Sequence, residues 1–208
     1  MIRQYLVQLE NVEPLVWRRI QIPDDSSMWD LHCAITDALG WLDCHLHKFQ
    51  LIDPPELHPG CVGIPSEWDD REILPGWEIK TEQFFYAPEV SAQYMYDFGD
   101  GWTHRVTFEK ELPEEDGASY PRCIDGAHAC PPENVGGPWG YQDFLKAISD
   151  KNDPEHETML AWCGGQFDPT WFDMELVQFD DAAVRWQVAF ENMERPPAFR
   201  NQQHHVLR

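Results

Sequence analysis

Positive charge is scarce in this chain: 15 lysines and arginines stand against 37 aspartates and glutamates, a formal net charge of −22 over 208 residues. A surface of that sign repels phosphate backbones, which excludes broad non-specific nucleic-acid binding and docking on anionic membranes. Long apolar runs are missing as well. None approaches the ~18 residues that would span a bilayer, and the opening Met1-Ile2-Arg3-Gln4-Tyr5 lacks the apolar stretch of a signal peptide. The expected compartment is the cytoplasm, where the six cysteines (Cys33, Cys44, Cys61, Cys123, Cys130, Cys163) are reduced thiols, buried or ligating. A dinucleotide fingerprint is also lacking. Gly136-Gly137-Pro138-Trp139-Gly140 has no strand before it, and Pro138 removes a donor N–H, so it reads as a packed turn opening a helix. What is present is apolar and aromatic: 42% hydrophobic residues, with 10 Trp, 11 Phe and 6 Tyr. That is too much for a disordered acidic chain, and the length suits one domain that buries about 70% of its unfolded surface.

Tyr5, Val7 and Leu9 alternate with polar residues as a half-buried strand, and residues 16–22 read as its hairpin partner. Ser27 and Asp30 form a capping-box pattern ahead of a helix whose face is Leu31, Ile35, Ala38, Leu39 and Leu42, with Gly40 near its end. Alternation resumes over residues 45–51 as a third strand. Prolines 54, 55, 59, 65 and 75 mark residues 54–88 as a surface excursion with one helical turn near residues 81–86. Residues 92–98 and 105–110 flank Gly99-Asp100-Gly101 as a β-hairpin, and residues 120–140 read as irregular but packed. Helices follow near residues 141–148, 155–162 and 181–193. Strands first and helices last predict an α+β fold: a largely antiparallel mixed sheet with an N-terminal strand pair, one long helix after it, and a helical C-terminal third packed on one face. Residues 1–194 form the single domain, and 195–208 a frayed tail.

Several segments together resemble the plasmid pRiA4b ORF-3-like proteins. They are Pro14 with Trp17-Arg18-Arg19, His45-Leu46-His47-Lys48-Phe49, Tyr96-Asp97-Phe98-Gly99-Asp100 with Trp102 and His104, and Tyr120-Pro121-Arg122-Cys123. Cys130-Pro131-Pro132-Glu133, Gly136-Gly137-Pro138-Trp139-Gly140-Tyr141 and Gly164-Gly165-Gln166-Phe167-Asp168-Pro169 continue the series in the family's order. The resemblance implies a gene found on plasmids, mobile elements and ordinary bacterial and archaeal genomes. Some members carry a transposon-passenger or resolvase-like label. A serine recombinase needs a nucleophilic serine among arginines and a basic DNA-reading module, and Ser26, Ser27, Ser66, Ser91, Ser119 and Ser149 have no such setting. Relatives often carry a further cysteine where this chain has Val135, so the loop lacks that thiolate.

Two constellations could carry chemistry. His45 and His47 lie two apart on a predicted strand, Asp97 and Asp100 bracket the hairpin turn, and His104 begins the return strand. If the strands neighbour each other, these ligands suit a divalent transition metal such as zinc, which would serve a phosphoester or nuclease-like hydrolase. The same residues equally suit turn chemistry and a packed histidine layer. Cys123, His128 and Cys130, with Cys163 as a further thiol, are the second set, a structural zinc site or buried thiols pinning a Pro-rich loop. Arg18 and Arg19 point to opposite faces of a strand, one solvated and one paired with a carboxylate. The runs Asp24-Asp25, Glu114-Glu115-Asp116 and Asp180-Asp181 read as solvated surface.

No nucleophile sits beside a base and no cofactor fingerprint occurs, so the reading is a non-catalytic binding or interaction module for a protein or small ligand. The alternative is the metal-dependent hydrolase. The charge predicts no duplex DNA binding at physiological salt, because neutralising phosphates requires clustered cations. A mobility-shift titration should remain unshifted at micromolar protein, and a salt-sensitive shift below micromolar would contradict it.

Overall fold

Tyr5, Val7 and Leu9 are all buried on β1 (Ile2–Leu9), which pairs antiparallel with β2 (Trp17–Pro23) on one side and β7 (Trp102–Leu112) on the other. Tyr5 lies opposite both Ile20 and Phe108, so one apolar row runs across three strands. The computed structural model describes residues 1–53, 60–65 and 72–190. The remaining strands are β3 (His47–Leu51), β4 (Cys61–Gly63), β5 (Leu74–Pro75), β6 (Ser91–Tyr96) and β8 (Arg122–Ala127). One eight-stranded sheet has the order β5-β4-β3-β6-β7-β1-β2-β8. Among the described residues the only parallel pair is β4 with β5, so the fold is α+β with a largely antiparallel mixed sheet.

The helix α1 (Met28–Leu39) begins where the sequence places it. Ser27 Oγ accepts from the Asp30 N–H at 3.2 Å, and the Asp30 carboxylate accepts from the Ser27 N–H at 2.6 Å. It stops at Gly40 in the left-handed region. Leu31, Ala34, Ile35 and Ala38 join the sheet's apolar row in one core, each large side chain contributing about 1.5–3 kcal/mol of burial. Leu42 lies past the helix and is 48% exposed, so it is not part of that face.

Three expectations change. First, residues 60–65 and 72–88 of the expected excursion are not all surface: Val62, Phe84 and Phe85 are fully buried, Phe84 on the short helix α2 (Thr81–Phe84). The open edge of β3 offers a ladder, and the intervening prolines shorten the strands that use it to three and two residues. Second, residues 120–140 supply β8, which has no apolar alternation because an edge strand needs only a backbone partner, here β2. Third, the arginine of the Arg18-Arg19 pair that lacks a carboxylate partner is buried instead of solvated, and it is Arg18. It is 2% exposed and bonds the carbonyls of Trp17, Ala38, Ala127 and His128, while Arg19 pairs with Glu109.

The helices α3 (Gly137–Ser149), α4 (His156–Trp162) and α5 (Ala182–Phe190) follow the last strand. Tyr141 and Phe144 carry α3 into the main core, and Phe190 of α5 packs with Trp29 and Cys33 of α1. Among the described residues no helix is long and apolar enough to cross a membrane. The expected tail and the last residues of the final helix lie outside the described residues.

The first turn of α3 presses on the β6–β7 turn. Gly137 has φ +69°, and a Cβ there would stand 2.2 Å from the Asp100 carbonyl oxygen; Gly101 has φ +71° with open space around it. Both positions cost an L-residue about 1–2 kcal/mol of backbone strain, but only Gly137 adds a collision with backbone. Gly101→Ala should lower the melting temperature by about 2–8 °C, and Gly137→Ala by clearly more. Equal shifts in thermal unfolding would contradict this contact.

Candidate functional site

The first predicted ligand set falls into two separate groups. His47 on β3 and His104 on β7 are fully buried on either side of β6. Burial holds both imidazoles below their ordinary range, His104 at about 3. His47 stacks on His32 of α1, ring centroids 3.4 Å apart and 11° from parallel. In the neutral tautomer protonated at Nε2, His32 donates to Asp43 Oδ1 at 2.8 Å and accepts from the Tyr94 hydroxyl at 2.8 Å. Both ring nitrogens of His47 are buried without a hydrogen-bond partner.

His45 does not share a strand face with His47. Asp43 has φ +55°, and β3 starts only at His47, so His45 projects from the connection that precedes the strand. It meets Asp97, with Nε2 3.4 Å from Oδ2. Asp97 Oδ1 accepts from the Gly99 and Asp100 N–H groups, and Asp100 Oδ2 accepts from the Gly136 N–H at 3.1 Å. Asp100 thus ties the hairpin turn to the start of α3.

The second set does not converge. Cys123 Sγ donates to the Asp125 carbonyl, His128 Nδ1 meets the Leu15 carbonyl at 2.7 Å, and Cys163 Sγ donates to the Leu160 carbonyl. Burial pushes the Cys130 thiol up, and all six cysteines are free. Among the described residues, the one group whose donor atoms converge is Cys44, His45 and Glu133. Only His45 of these is legible as a ligand. Cys44 precedes it directly, and neighbours on a strand would point to opposite faces. Glu133 sits in a Pro-rich loop with no periodicity to place it.

A cleft of about 860 Å³ opens between the C-terminal end of α1, the Ala129-Cys130 segment and the loops of residues 166–178. Phe167, Trp171, Phe172 and Leu176 give it an aromatic and aliphatic lining. Trp171 and Leu176 are 55% and 63% exposed. Arg18 lies in the cleft wall, but its guanidinium is engaged by four carbonyls and covered by the Phe172 ring at 3.6 Å. The other charged lining groups are Asp37, Asp168 and Asp173. Asp168 Oδ1 accepts from the Thr170 hydroxyl and N–H, which keeps its carboxyl below the usual carboxylate range. Neither this cleft nor the Cys44 group holds an activated nucleophile: burial and Glu133 push the Cys44 thiol up to about 11, the reverse of a reactive cysteine.

The buried histidines set a pH dependence. An unfolded histidine binds its proton near pH 6.5, whereas folded His104 stays neutral down to about 3, so acidification favours the unfolded chain between those values. Stability should fall from pH 6.5 to 5 with a slope that approaches about 1.4 kcal/mol per pH unit for each such histidine. His104→Gln should remove one proton's share of that slope in urea unfolding. Identical slopes for both proteins would contradict a neutral His104.

The same arrangement of chain recurs in known proteins. An uncharacterized protein, y4hQ, of Sinorhizobium fredii (strain NBRC 101917 / NGR234) is 34% identical over 192 residues, covering 86% of this chain and 91% of the relative. The crystal structure of a protein of unknown function, MM3350, from Methanosarcina mazei Go1 superposes with a TM-score of 0.77 at 34% identity, covering 86% of this chain and 98% of that one. The family model for plasmid pRiA4b ORF-3-like proteins matches residues 1–176, from β1 through the cleft-lining loop, and the chain belongs to that family.

Proposed function

We propose that the protein is a non-catalytic binding module whose cleft receives a basic, apolar-studded segment of a partner protein. The observation that carries this reading is the lip of the cleft: Trp171 and Leu176 stand more than half exposed beside Phe167 and Phe172. Large apolar side chains grouped in the open mark interaction surfaces more often than isolated ones do. Trp and aromatic neighbours also supply contact area at low conformational cost.

Charge selects the partner. The cleft's cation, Arg18, has its donors on backbone carbonyls, so it offers little to an anionic ligand. Asp168 accepts the Thr170 N–H and hydroxyl, which stabilise its ionised carboxylate, and Asp173 accepts the Glu175 N–H. The net charge of −22 adds a long-range field that draws cationic partners and repels acidic ones.

An amphipathic dodecapeptide alternating arginine and leucine should quench tryptophan fluorescence saturably, and its glutamate counterpart should not. Affinity should fall as salt rises. The double change Trp171→Ala and Leu176→Ala should weaken binding at least tenfold, about 1.4 kcal/mol, with the melting temperature held within a few degrees. Undiminished affinity in that variant would overturn the assignment of the cleft.

A further inference from the structure

We propose that Cys44, His45 and Glu133 form a binding site for Zn²⁺, separate from the cleft. Cys44 Sγ, a ring nitrogen of His45 and a Glu133 carboxylate oxygen all lie within 4.8 Å of one another. His45 Nε2 stands 3.6 Å from Glu133 Oε2, and Cys44 Sγ stands 3.9 Å from the same oxygen. A tetrahedral zinc ion with bonds of about 2.0 Å to nitrogen and oxygen and about 2.3 Å to sulfur separates its ligands by about 3.3–3.5 Å. These two spacings to Glu133 exceed that by a few tenths of an ångström, which side-chain rotation closes.

The orientation of each donor supports the same reading. Glu133 Oε1 is held by two donors, the Leu42 N–H at 2.8 Å and the Tyr96 hydroxyl at 3.0 Å. Its other oxygen is thereby turned toward Cys44 and His45, which is how outer partners orient a ligating carboxylate. The Tyr96 hydroxyl also accepts from the Cys44 N–H at 3.1 Å, so one phenol positions both residues. Asp97 repeats the pattern, with Oδ1 held by the turn N–H groups and Oδ2 aimed at His45 Nε2 from 3.4 Å. His45 Nε2 itself is buried and makes no hydrogen bond, although two carboxylates stand just beyond bonding distance. A cation seated among these atoms would satisfy that nitrogen and both anions together.

The donor chemistry selects the metal. A thiolate, an imidazole and a carboxylate are too soft a set for Mg²⁺ or Ca²⁺ and suit Zn²⁺. Three protein ligands leave a fourth position for water, and Asp97 is the second anion beside it. This inference does not depend on the cleft, and the two can fail separately.

The test uses the full chain, purified without a polyhistidine tag, stripped with a chelator and titrated with Zn²⁺ by calorimetry and with Co²⁺ by absorption. The expected result is one equivalent bound, with a thiolate-to-cobalt charge-transfer band. Cys44→Ser should abolish the band, and Glu133→Gln should weaken both metals at least tenfold, while Cys163→Ser leaves them unchanged. Thermal unfolding of the stripped variants separates lost ligands from lost fold, and Glu133→Gln decides should Cys44→Ser be unstable. No binding by the wild type at micromolar Zn²⁺, or a band that survives in folded Cys44→Ser, would overturn the site.

Discussion

Arg185 reaches from α5 toward α1 and the connection that leads into β3, and much of the protein's polar interior is arranged around its charge. The residue is 4% exposed, and a guanidinium so placed costs several kcal/mol of lost hydration unless anions and acceptors surround it. Here Asp37, Asp180 and Thr36 Oγ1 bond it, and Asp43 Oδ2 stands 3.5 Å away. Asp43 passes the constraint inward, because its Oδ1 takes the His32 Nε2 proton and His32 takes the Tyr94 hydroxyl. One chain of polar contacts therefore runs from the last described helix through α1 to the centre of the sheet. Removing a buried member would cost each neighbour one partner in a desolvated setting, which costs more than the contact itself gains.

That chain also fixes the connection of residues 40–47, where both proposed sites meet the fold. Gly40 turns the chain out of α1, and Trp41 stacks on Tyr96 while its Nε1 donates to the Pro131 carbonyl. The Leu42 N–H holds Glu133, and Asp43, in the left-handed region, sits under Arg185. Cys44 and His45 follow, and the strand begins at His47. Trp41 borders the cleft, whereas Cys44 and His45 face Glu133. A loop of few residues positions both surfaces because Trp41 is tied to Tyr96 and Pro131, Asp43 to Arg185, and Cys44 and His45 to Glu133.

Local signals in the sequence proved readable wherever the chemistry is local. The Ser27 and Asp30 cap, the Gly40 stop, the alternation at Tyr5, Val7 and Leu9 and the hairpin around Asp100 each depend on residues within a few positions of one another. Signals failed where the partner is distant. Strand β8 shows no apolar alternation, and what makes it a strand is the backbone ladder it forms on the edge of β2. Val62 lies between Pro59 and Pro65 and Phe85 three residues before Pro88, and neither sits in an alternating or helical apolar pattern that announces burial. The expectation that His45 and His47 share a strand face rests on one assumption, that residues 45–51 are all strand. The left-handed turn at Asp43 delays the strand by two residues, so His45 faces Glu133 and His47 faces His32. Glu133 itself is held by residues distant in sequence, the Leu42 N–H and the Tyr96 hydroxyl, the latter spanning 37 positions.

The acid excess has an architectural origin as well as an electrostatic consequence. Asp97, Asp150, Asp153, Asp168, Asp173 and Asp181 each accept the backbone N–H two residues ahead through one carboxylate oxygen. Such turns order Gly- and Pro-rich connections that regular ladders cannot reach, and they do so with a charged acceptor whose bonds are stronger than neutral ones. A chain that fixes its loops this way accumulates negative charge without any ligand in view, which is why acidic clusters alone say little about function. The resulting field nevertheless acts on solution, concentrating cations around the surface. What converts that diffuse attraction into a site is a donor set of mixed softness held in place by its neighbours, and a cleft whose aromatic lip stays exposed. The buried His47 and His104 meet neither condition. Cys44, His45 and Glu133 meet the first, and Trp171 with Leu176 meets the second.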